Sequence, residues 1–102
     1  MRQVRIFPAV LQDVAEAAAW YDEQGHVGLG DRFITAFQRG LAQIQENGAA
    51  NRKSYLEFRK LLIRPFPYSL YYRLHGSTWI VVLVVHAARQ PQRIKRALRT
   101  RK

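Results

Sequence analysis

The segment TWIVVLVVH, residues 78–86, decides how the rest of the chain is interpreted. All seven residues from position 79 to position 85 are apolar, so a strand here would be apolar on both faces, because side chains alternate between the faces of a sheet. A strand covered on both sides is typical of the centre of a sheet. Simple alternation predicts two rows of side chains, with Trp79, Val81, Leu83 and Val85 on one face and Ile80, Val82, Val84 and finally His86 on the other.

The segments before this strand predict its neighbours. Residues 68–74 alternate in the manner of a strand, and the turn residues HGS at 75–77 join them to the apolar segment as a hairpin. Residues 56–64 predict another strand. The segment PFP at 65–67 predicts a corner between these two strands, because proline has no backbone N–H for a sheet ladder.

The first half of the chain predicts a short strand followed by two amphipathic helices. Residues 4–7 form the strand, and Pro8 ends its pairing. Three glycines between positions 24 and 30 separate the helices, and Gly48 is predicted to end the second helix in a left-handed conformation. The apolar residues with the helical period are Val10, Val14, Ala17 and Tyr21 in the first helix and Leu29, Phe33, Phe37, Leu41 and Ile44 in the second.

A basic helix is predicted at the end of this order, over residues 92–99, with Ile94, Ala97 and Leu98 to dock it. The element order β-α-α-β-β-β, with this final helix added, is that of an α+β fold. We expect an antiparallel sheet packed against an N-terminal helical hairpin, in one domain over residues 1–102. The aromatic residues expected in the core are Trp20, Tyr21 and Trp79, while Tyr68, Tyr71 and Tyr72 belong either to the core or to a surface that stacks on bases.

Positive charge is concentrated in the second half of the chain. The formal net charge is +10, and residues 58–102 contain eleven lysines and arginines and no acidic residue. Such a segment favours a polyanionic or acidic partner, whose attraction would weaken as salt rises, although a basic tail can also serve solubility alone. We hypothesise that one docking surface gathers the cationic side chains, namely Arg59, Arg64, Arg73, His86, Arg89 and Arg93.

Several kinds of site and location are not expected. The chain has no cysteine, which excludes disulfides and thiolate metal sites. Its histidines, His26, His75 and His86, lie far apart in sequence, so we expect no metal site, and no phosphate-binding loop indicates a cofactor. The sequence also lacks the apolar segment of a signal peptide and any run long enough to span a bilayer, so we expect a cytoplasmic protein that does not bind membranes.

Four motifs, in this order, resemble the ParE/RelE toxin superfamily. They are AAAWY at 17–21, GLGDRF at 28–33, FPY at 66–68 with YYR at 71–73, and HAARQP at 86–91. The superfamily contains the toxins of bacterial toxin–antitoxin, or plasmid stabilisation, modules. The resemblance covers about residues 4–98. It implies a compact sheet with a helical hairpin on one face, a cognate antitoxin whose acidic or amphipathic tail wraps the toxin, and growth arrest when that antitoxin is degraded.

Two mechanisms occur in this superfamily: RelE-like members cut messenger RNA in the ribosome, whereas ParE-like members poison DNA gyrase. RelE-like cleavage implies an arginine after the tyrosine that opens the middle strand, an arginine after the last strand, and a tyrosine beyond it. The matching positions hold Ser69, Arg89 and about Lys95, so two of the three groups are lost. The resemblance therefore favours a ParE-like gyrase inhibitor that is not an enzyme. The alternatives are a ribosome-dependent endoribonuclease that uses His86 with Arg64 or Arg89, and an inactive toxin or general nucleic-acid-binding module.

His86 has three interpretations at this stage. It could complete the core and hydrogen-bond a backbone carbonyl, it could contact the target, or it could act as a general base, since an imidazole titrates near neutral pH. The residues around it leave these three roles open. Lys95 is a poor base in an exposed cationic segment, because only desolvation would lower the pKa of its ammonium far enough.

Overall fold

The computed structural model describes residues 2–25 and 27–101 of the chain. This part of the chain contains β1 (Gln3–Ile6), α1 (Pro8–Glu23), α2 (Leu29–Asn47), a 3-10 turn (Gly48–Ala50), β2 (Lys53–Tyr55), β3 (Phe58–Leu62), β4 (Tyr68–His75), β5 (Thr78–His86) and α3 (Pro91–Thr100). The predicted α+β class is confirmed.

The strands form one sheet in the order β1-β5-β4-β3-β2, so β5 pairs on both sides and is an interior strand covered on both faces, as its composition predicts. The strands β2 to β5 pair antiparallel, as expected. The pairing of β1 is a correction, because β1 runs parallel to β5 and makes the sheet mixed. Alternation marks a segment as a strand but carries no information about its direction relative to a partner far along the chain.

Residues 56–64 form the turn and second arm of a hairpin, where the alternation predicts one strand. β2 ends at Tyr55, the chain turns through Leu56 with a φ of 50°, and β3 begins at Phe58. Leucine is an uncommon residue in the left-handed region, where glycine and asparagine are usual. Nothing in the residue types therefore marks this turn, and β2 is missed.

A β-bulge in β5 overturns the faces that simple alternation predicts. Tyr71 pairs with Leu83 and Tyr72 pairs with Val81, so Val82 is an extra residue between the two pairs. Beyond such a residue the alternation is displaced by one position. The side chains that pack with the helical hairpin are Trp79, Val81 and Val84, and those on the opposite face are Ile80, Val82, Leu83 and Val85.

The two faces of the sheet are covered by separate apolar clusters. The hairpin of α1 and α2 covers one face, and both Phe33 and Ile44 are fully buried there. The helix α3 covers part of the other face, where Leu98 is fully buried and Ile94 and Ala97 pack beside it. The predicted basic terminal helix is thus confirmed, together with the three apolar residues that dock it.

Packing against Trp79 explains why position 48 is a glycine. Its φ is −61°, so the predicted left-handed end of α2 is wrong. A Cβ atom at this position would lie 2.5 Å from Cε2 of Trp79, and the turn therefore closes on the indole ring only without a side chain. The hydroxyl of Tyr72 donates to the Gly48 carbonyl and accepts from the Asn51 amide, which fixes the turn against β4.

Burial makes the fold sensitive to high pH. It raises the pKa of four tyrosine hydroxyls, those of Tyr21, Tyr68, Tyr71 and Tyr72. A group with a raised folded pKa contributes full stability below its unfolded pKa, about 10 for tyrosine, and loses that contribution as pH rises through the folded value. We therefore expect the melting temperature to fall steeply above about pH 10, with no loss from these groups between about pH 7 and 9.

Circular dichroism melts across this pH range, with tyrosinate absorbance recorded in parallel, test the expectation. The absorbance change should coincide with unfolding. Ionisation of all the tyrosines near their ordinary pKa in a protein that stays folded would contradict it.

Candidate target-binding site

The structure brings three of the six predicted site residues together at the carboxyl end of β5. His86 ends the strand, and Arg89 and Arg93 follow on the turn and the first turn of α3. They line a shallow pocket of about 490 Å³ together with Ala88 and Gln90. We call His86, Arg89 and Arg93 the cationic cluster.

The connection after β5 holds this cluster in place. The Ala87 N–H donates to the Pro67 carbonyl at 2.7 Å, which extends the contact between β5 and the corner before β4. The Arg89 N–H donates to the His86 carbonyl at 3.0 Å and closes a turn. Pro91 then starts α3 at a position where a missing N–H has no cost. Arg89 is therefore carried by a short, bonded connection on a rigid strand.

His86 is half-buried on the side of the sheet that faces the helical hairpin, because of the bulge at Val82. Its ring packs edge-on against Tyr68, with 5.1 Å between the ring centroids. Its Nδ1 accepts a hydrogen bond from the Ala88 N–H at 2.9 Å, whereas the interpretation of His86 as a core residue predicts a bond to a backbone carbonyl. A nitrogen that accepts carries no proton, so the neutral ring holds its proton on Nε2 and presents a donor.

The two arginines of the cluster are exposed and uncompensated. Among the residues that the structure describes, the one ion pair joins Arg101 to Asp13, and no carboxylate pairs with Arg89 or Arg93. Arg89 also lies close to Tyr68, where its charge opposes the rise in pKa that burial causes in that hydroxyl. The cluster is therefore a positive site that finds no counter-ion within residues 2–25 and 27–101, open to an anionic or hydrogen-bond-accepting partner.

A second cavity continues from the cluster along the edge of β5. It is a groove of about 530 Å³ between α1 and α3, and His86 and Arg89 line the end that adjoins the cluster. Trp20 lines the same groove and is 51% exposed, so its predicted place in the core is wrong. The inward position on α1 belongs to the next residue, Tyr21, which is buried.

The guanidinium of Arg59 makes its contacts within the fold. It donates to the Asn51 carbonyl at 2.5 Å and to the Ala49 carbonyl at 3.3 Å. It also lies over the Trp79 ring, 5.8 Å from the centroid, where a cation–π contact is favourable. These contacts tie β3 to the 3-10 turn, and Arg59 is a residue of the framework.

Arg64 and Arg73 are separated from the cluster. Arg73 follows Tyr71 by two residues on β4 and so lies on the α3 face of the sheet, whereas Arg59 pairs with Tyr72 and lies on the hairpin face. Arg64 is exposed in the connection after β3. The hypothesis that all six cationic residues form one surface is therefore wrong, because neighbouring strands and alternating positions send them to different sides. Their binding roles stay predictions.

The positions that match the RelE-like groups carry no side chain placed to act as a general base. Ser69 is 2% exposed on β4, and its hydroxyl has no hydrogen-bond partner among the described residues. The Lys95 ammonium lies 5.3 Å from the centre of the Tyr55 ring, which holds it over β2. Of the three matching positions, Arg89 alone presents an exposed functional group.

One structural pair has no signal in the sequence. Asp13 on α1 and Arg101 after α3 form a bidentate ion pair with N–O distances of 2.6 and 3.0 Å. The Asp13 carboxylate also accepts from the Val84 N–H at 3.1 Å, and Arg101 donates to the Val82 carbonyl at 3.0 Å. We call this pair the edge clasp, because it hydrogen-bonds the backbone groups of β5 that have no strand partner beyond the end of β1. The two residues are too far apart in sequence for spacing to connect them.

No metal-binding group of three or more histidine, cysteine, aspartate or glutamate residues occurs within residues 2–25 and 27–101. His26 lies outside the described residues. In the described part of the chain, no helix combines the length and the apolar composition needed to cross a membrane.

Comparison with known proteins gives a family and a fold. Residues 4–91 match the profile of the family described as the ParE toxin of type II toxin-antitoxin system, parDE. No match is found among curated proteins. A solved structure, the chromosomal ParDE TA system from P. aeruginosa, is similar with a TM-score of 0.75 at 12% identity, covering 84% of this chain and 96% of that chain. At this identity the structural match carries the fold alone.

Proposed function

The chain belongs to the ParE toxin family of type II toxin–antitoxin systems, and from this premise we propose that it arrests bacterial growth by binding and inhibiting DNA gyrase. The resemblance noted in the sequence is confirmed at the level of the family. A cognate antitoxin protein would neutralise the toxin, and the proposed target places the toxin in the cytoplasm.

The observation that carries the proposal is the cationic cluster at the end of β5. Two exposed arginines, which pair with no carboxylate in the described part of the chain, stand beside a ring that presents an N–H donor. A planar guanidinium binds carboxylates and phosphates through two parallel hydrogen bonds, so the cluster suits a target surface that carries such groups. Gyrase bound to cleaved DNA offers both kinds of group.

Binding accounts for the site better than RNA cleavage does. General base catalysis at a ribose 2′-hydroxyl needs a nitrogen or oxygen that is free to accept a proton. The Nδ1 of His86 is already occupied by the Ala88 N–H, and its other nitrogen carries the ring proton. The hydroxyl of Ser69 is buried, and the Lys95 ammonium is held over Tyr55.

Induction of the chain in bacteria without the antitoxin tests this function. We expect loss of viable cells, filamentation and a DNA-damage response, because a trapped cleavage complex breaks the chromosome. With purified DNA gyrase, supercoiled plasmid and ATP, the protein should cause linear, protein-linked DNA to accumulate. Co-expression of the antitoxin should restore growth.

Two other outcomes separate the alternatives. Immediate loss of amino-acid incorporation, with transcripts cut on ribosomes and no DNA damage, would replace gyrase inhibition with ribosome-dependent endoribonuclease activity. Normal growth at an expression level confirmed by immunoblot would indicate an inactive toxin or a general nucleic-acid-binding module.

A further inference from the structure

One edge of the sheet is left partly unpaired at β3. The ladder between β2 and β3 reaches only Phe58 and Arg59, whereas β3 pairs with β4 over residues 59–62. Among the described strands, none covers Leu62 on this side. Leu62 is 47% exposed, so an apolar side chain also stands at this edge.

The backbone of this edge is oriented for a further strand. In an antiparallel ladder, residues whose N–H and C=O face the partner alternate with residues whose groups face away. The Ile63 N–H donates to the Tyr68 carbonyl at 2.9 Å, so Ile63 faces β4, and Leu61, two residues earlier, does the same. Lys60 and Leu62 therefore direct their N–H and C=O groups outward.

The groove beside this edge is cationic. It has a volume of about 690 Å³ between α2 and β3, and its charged residues are Arg39, Lys60 and Arg64, with no acidic residue in its lining. Gly40 brings α2 close to the strand, since a Cβ there would lie 2.8 Å from Cδ2 of Leu61. Alternate side chains of an added strand project to the two faces of the sheet, so those on one face would meet Arg39 of α2 and those on the other would meet Lys60, which pairs with Tyr71.

Three other cavities among the described residues lack this combination. The pocket at the start of β1, next to the other outer edge of the sheet, includes Glu46. The groove along β5 contains Asp13 and Glu16, and there the edge clasp already occupies the backbone. The apolar pocket between α2 and the corner at Pro65 includes Asp31. At the β3 edge, by contrast, outward-facing backbone groups lie beside a groove whose charged residues are all positive.

We propose that an extended acidic segment of the antitoxin adds to the sheet as a strand along Lys60–Leu62 of β3, with its carboxylates toward Arg39, Lys60 and Arg64. Strand addition of this kind supplies affinity from the main chain and specificity from the side chains. This inference rests on the proposed function, which supplies the antitoxin. It names the contact surface and the conformation of the bound segment, and the surface is separate from the cationic cluster.

Amide hydrogen exchange in the unmodified protein tests the pairing directly. The probe is the full-length antitoxin whose co-expression restores growth, added in saturating amounts to the purified toxin. We expect exchange of the Lys60 and Leu62 amides to slow at least tenfold in the complex, because each N–H gains a hydrogen bond. The Arg2 and Arg5 amides near the other sheet edge serve as the internal reference and should not change.

A pair of variants at one position separates backbone pairing from side-chain contact. Leu62→Pro removes an outward N–H without removing a bond to β4, so it should weaken antitoxin binding at least tenfold while the toxin alone still arrests growth. Leu62→Ala keeps the N–H and should weaken binding less than threefold. Circular dichroism confirms that each variant folds.

Charge reversal provides an independent test if the proline variant unfolds. Arg39→Glu should weaken antitoxin binding at least tenfold and reduce its salt dependence. Arg96→Glu, an equal change on the exposed side of α3, should leave binding within threefold.

The experiments distinguish failure of this inference from failure of the proposed function. If the antitoxin binds and restores growth but the Lys60 and Leu62 amides exchange at the same rate, strand addition is wrong and the toxin function stands. If Arg39→Glu and Arg96→Glu weaken binding equally, the groove is not the contact surface. If no antitoxin restores growth, the proposed function fails and this inference fails with it.

Discussion

Replacing Arg89 with alanine is expected to weaken the proposed inhibition of gyrase by about 30-fold or more, since central arginine contacts in interfaces are commonly worth about 2 kcal/mol or more. The free energy of unfolding should change by less than about 0.5 kcal/mol, as for surface substitutions in general. Arg89 is exposed, and among the described residues it has no ion-pair partner to lose. The measurements are the half-maximal concentration for plasmid cleavage and a thermal melt.

Arg96→Ala is the matched control for this prediction. Arg96 is exposed on the same helical segment but does not line the pocket of the cationic cluster. Its loss removes the same charge and should leave inhibition nearly unchanged. Equal effects of the two substitutions would mean that net charge, and not the cluster, drives binding, and unfolding of the Arg89 variant would make it a structural residue.

Replacing Asp13 with alanine should destabilise the fold by about 2–4 kcal/mol, a little below the cost of breaking a fully buried ion pair. The two side chains are 14% and 22% exposed, so solvent screens them partly. The substitution leaves the Val84 N–H without its acceptor and the Arg101 guanidinium without its counter-charge. For a domain of this size the melting temperature should fall by about 10–25 °C.

Three further variants show whether the edge clasp is the cause. Asp13→Asn keeps an acceptor for the Val84 N–H and should recover part of the loss. Combining Asp13→Ala with Arg101→Ala should cost less than the sum of the two single changes, because the residues share one interaction. Glu16→Ala, an exposed carboxylate one turn away, should change stability by less than about 0.5 kcal/mol. A loss below about 1 kcal/mol for Asp13→Ala would show that solvent replaces the clasp.

The order of elements could be predicted because local patterns determine it. The uniformly apolar segment around Val82 marked a strand covered on both faces, and the spacing of Phe33, Phe37 and Ile44 marked a helix that packs on one face. The features that were missed depend on contacts between distant residues or on unusual backbone angles. These are the parallel pairing of β1, the turn at Leu56 and the β-bulge.

The candidate site was predictable in part, for the same reason. His86 and Arg89 are close in sequence, so their proximity followed from the end of one strand and one turn. Whether Arg59 and Arg73 join them depends on strand register and on face, which composition does not determine. Arg59 was assigned a binding role because its bonds to Asn51 and Ala49 depend on tertiary structure. The edge clasp joins opposite ends of the described chain and is visible only in three dimensions.

The surplus residue in β5 has a consequence for how this gene can vary. Deletion of the Val82 codon would remove the bulge and restore strict alternation, and residues 83–86 would keep the sides on which they now emerge. Insertion of one residue between Val82 and His86 would instead turn the imidazole to the other face of the sheet, toward Leu98. Loss of one residue at the bulge would thus leave the imidazole on the side of the helical hairpin, whereas a gain of one residue after it would abolish the site with every functional residue still encoded.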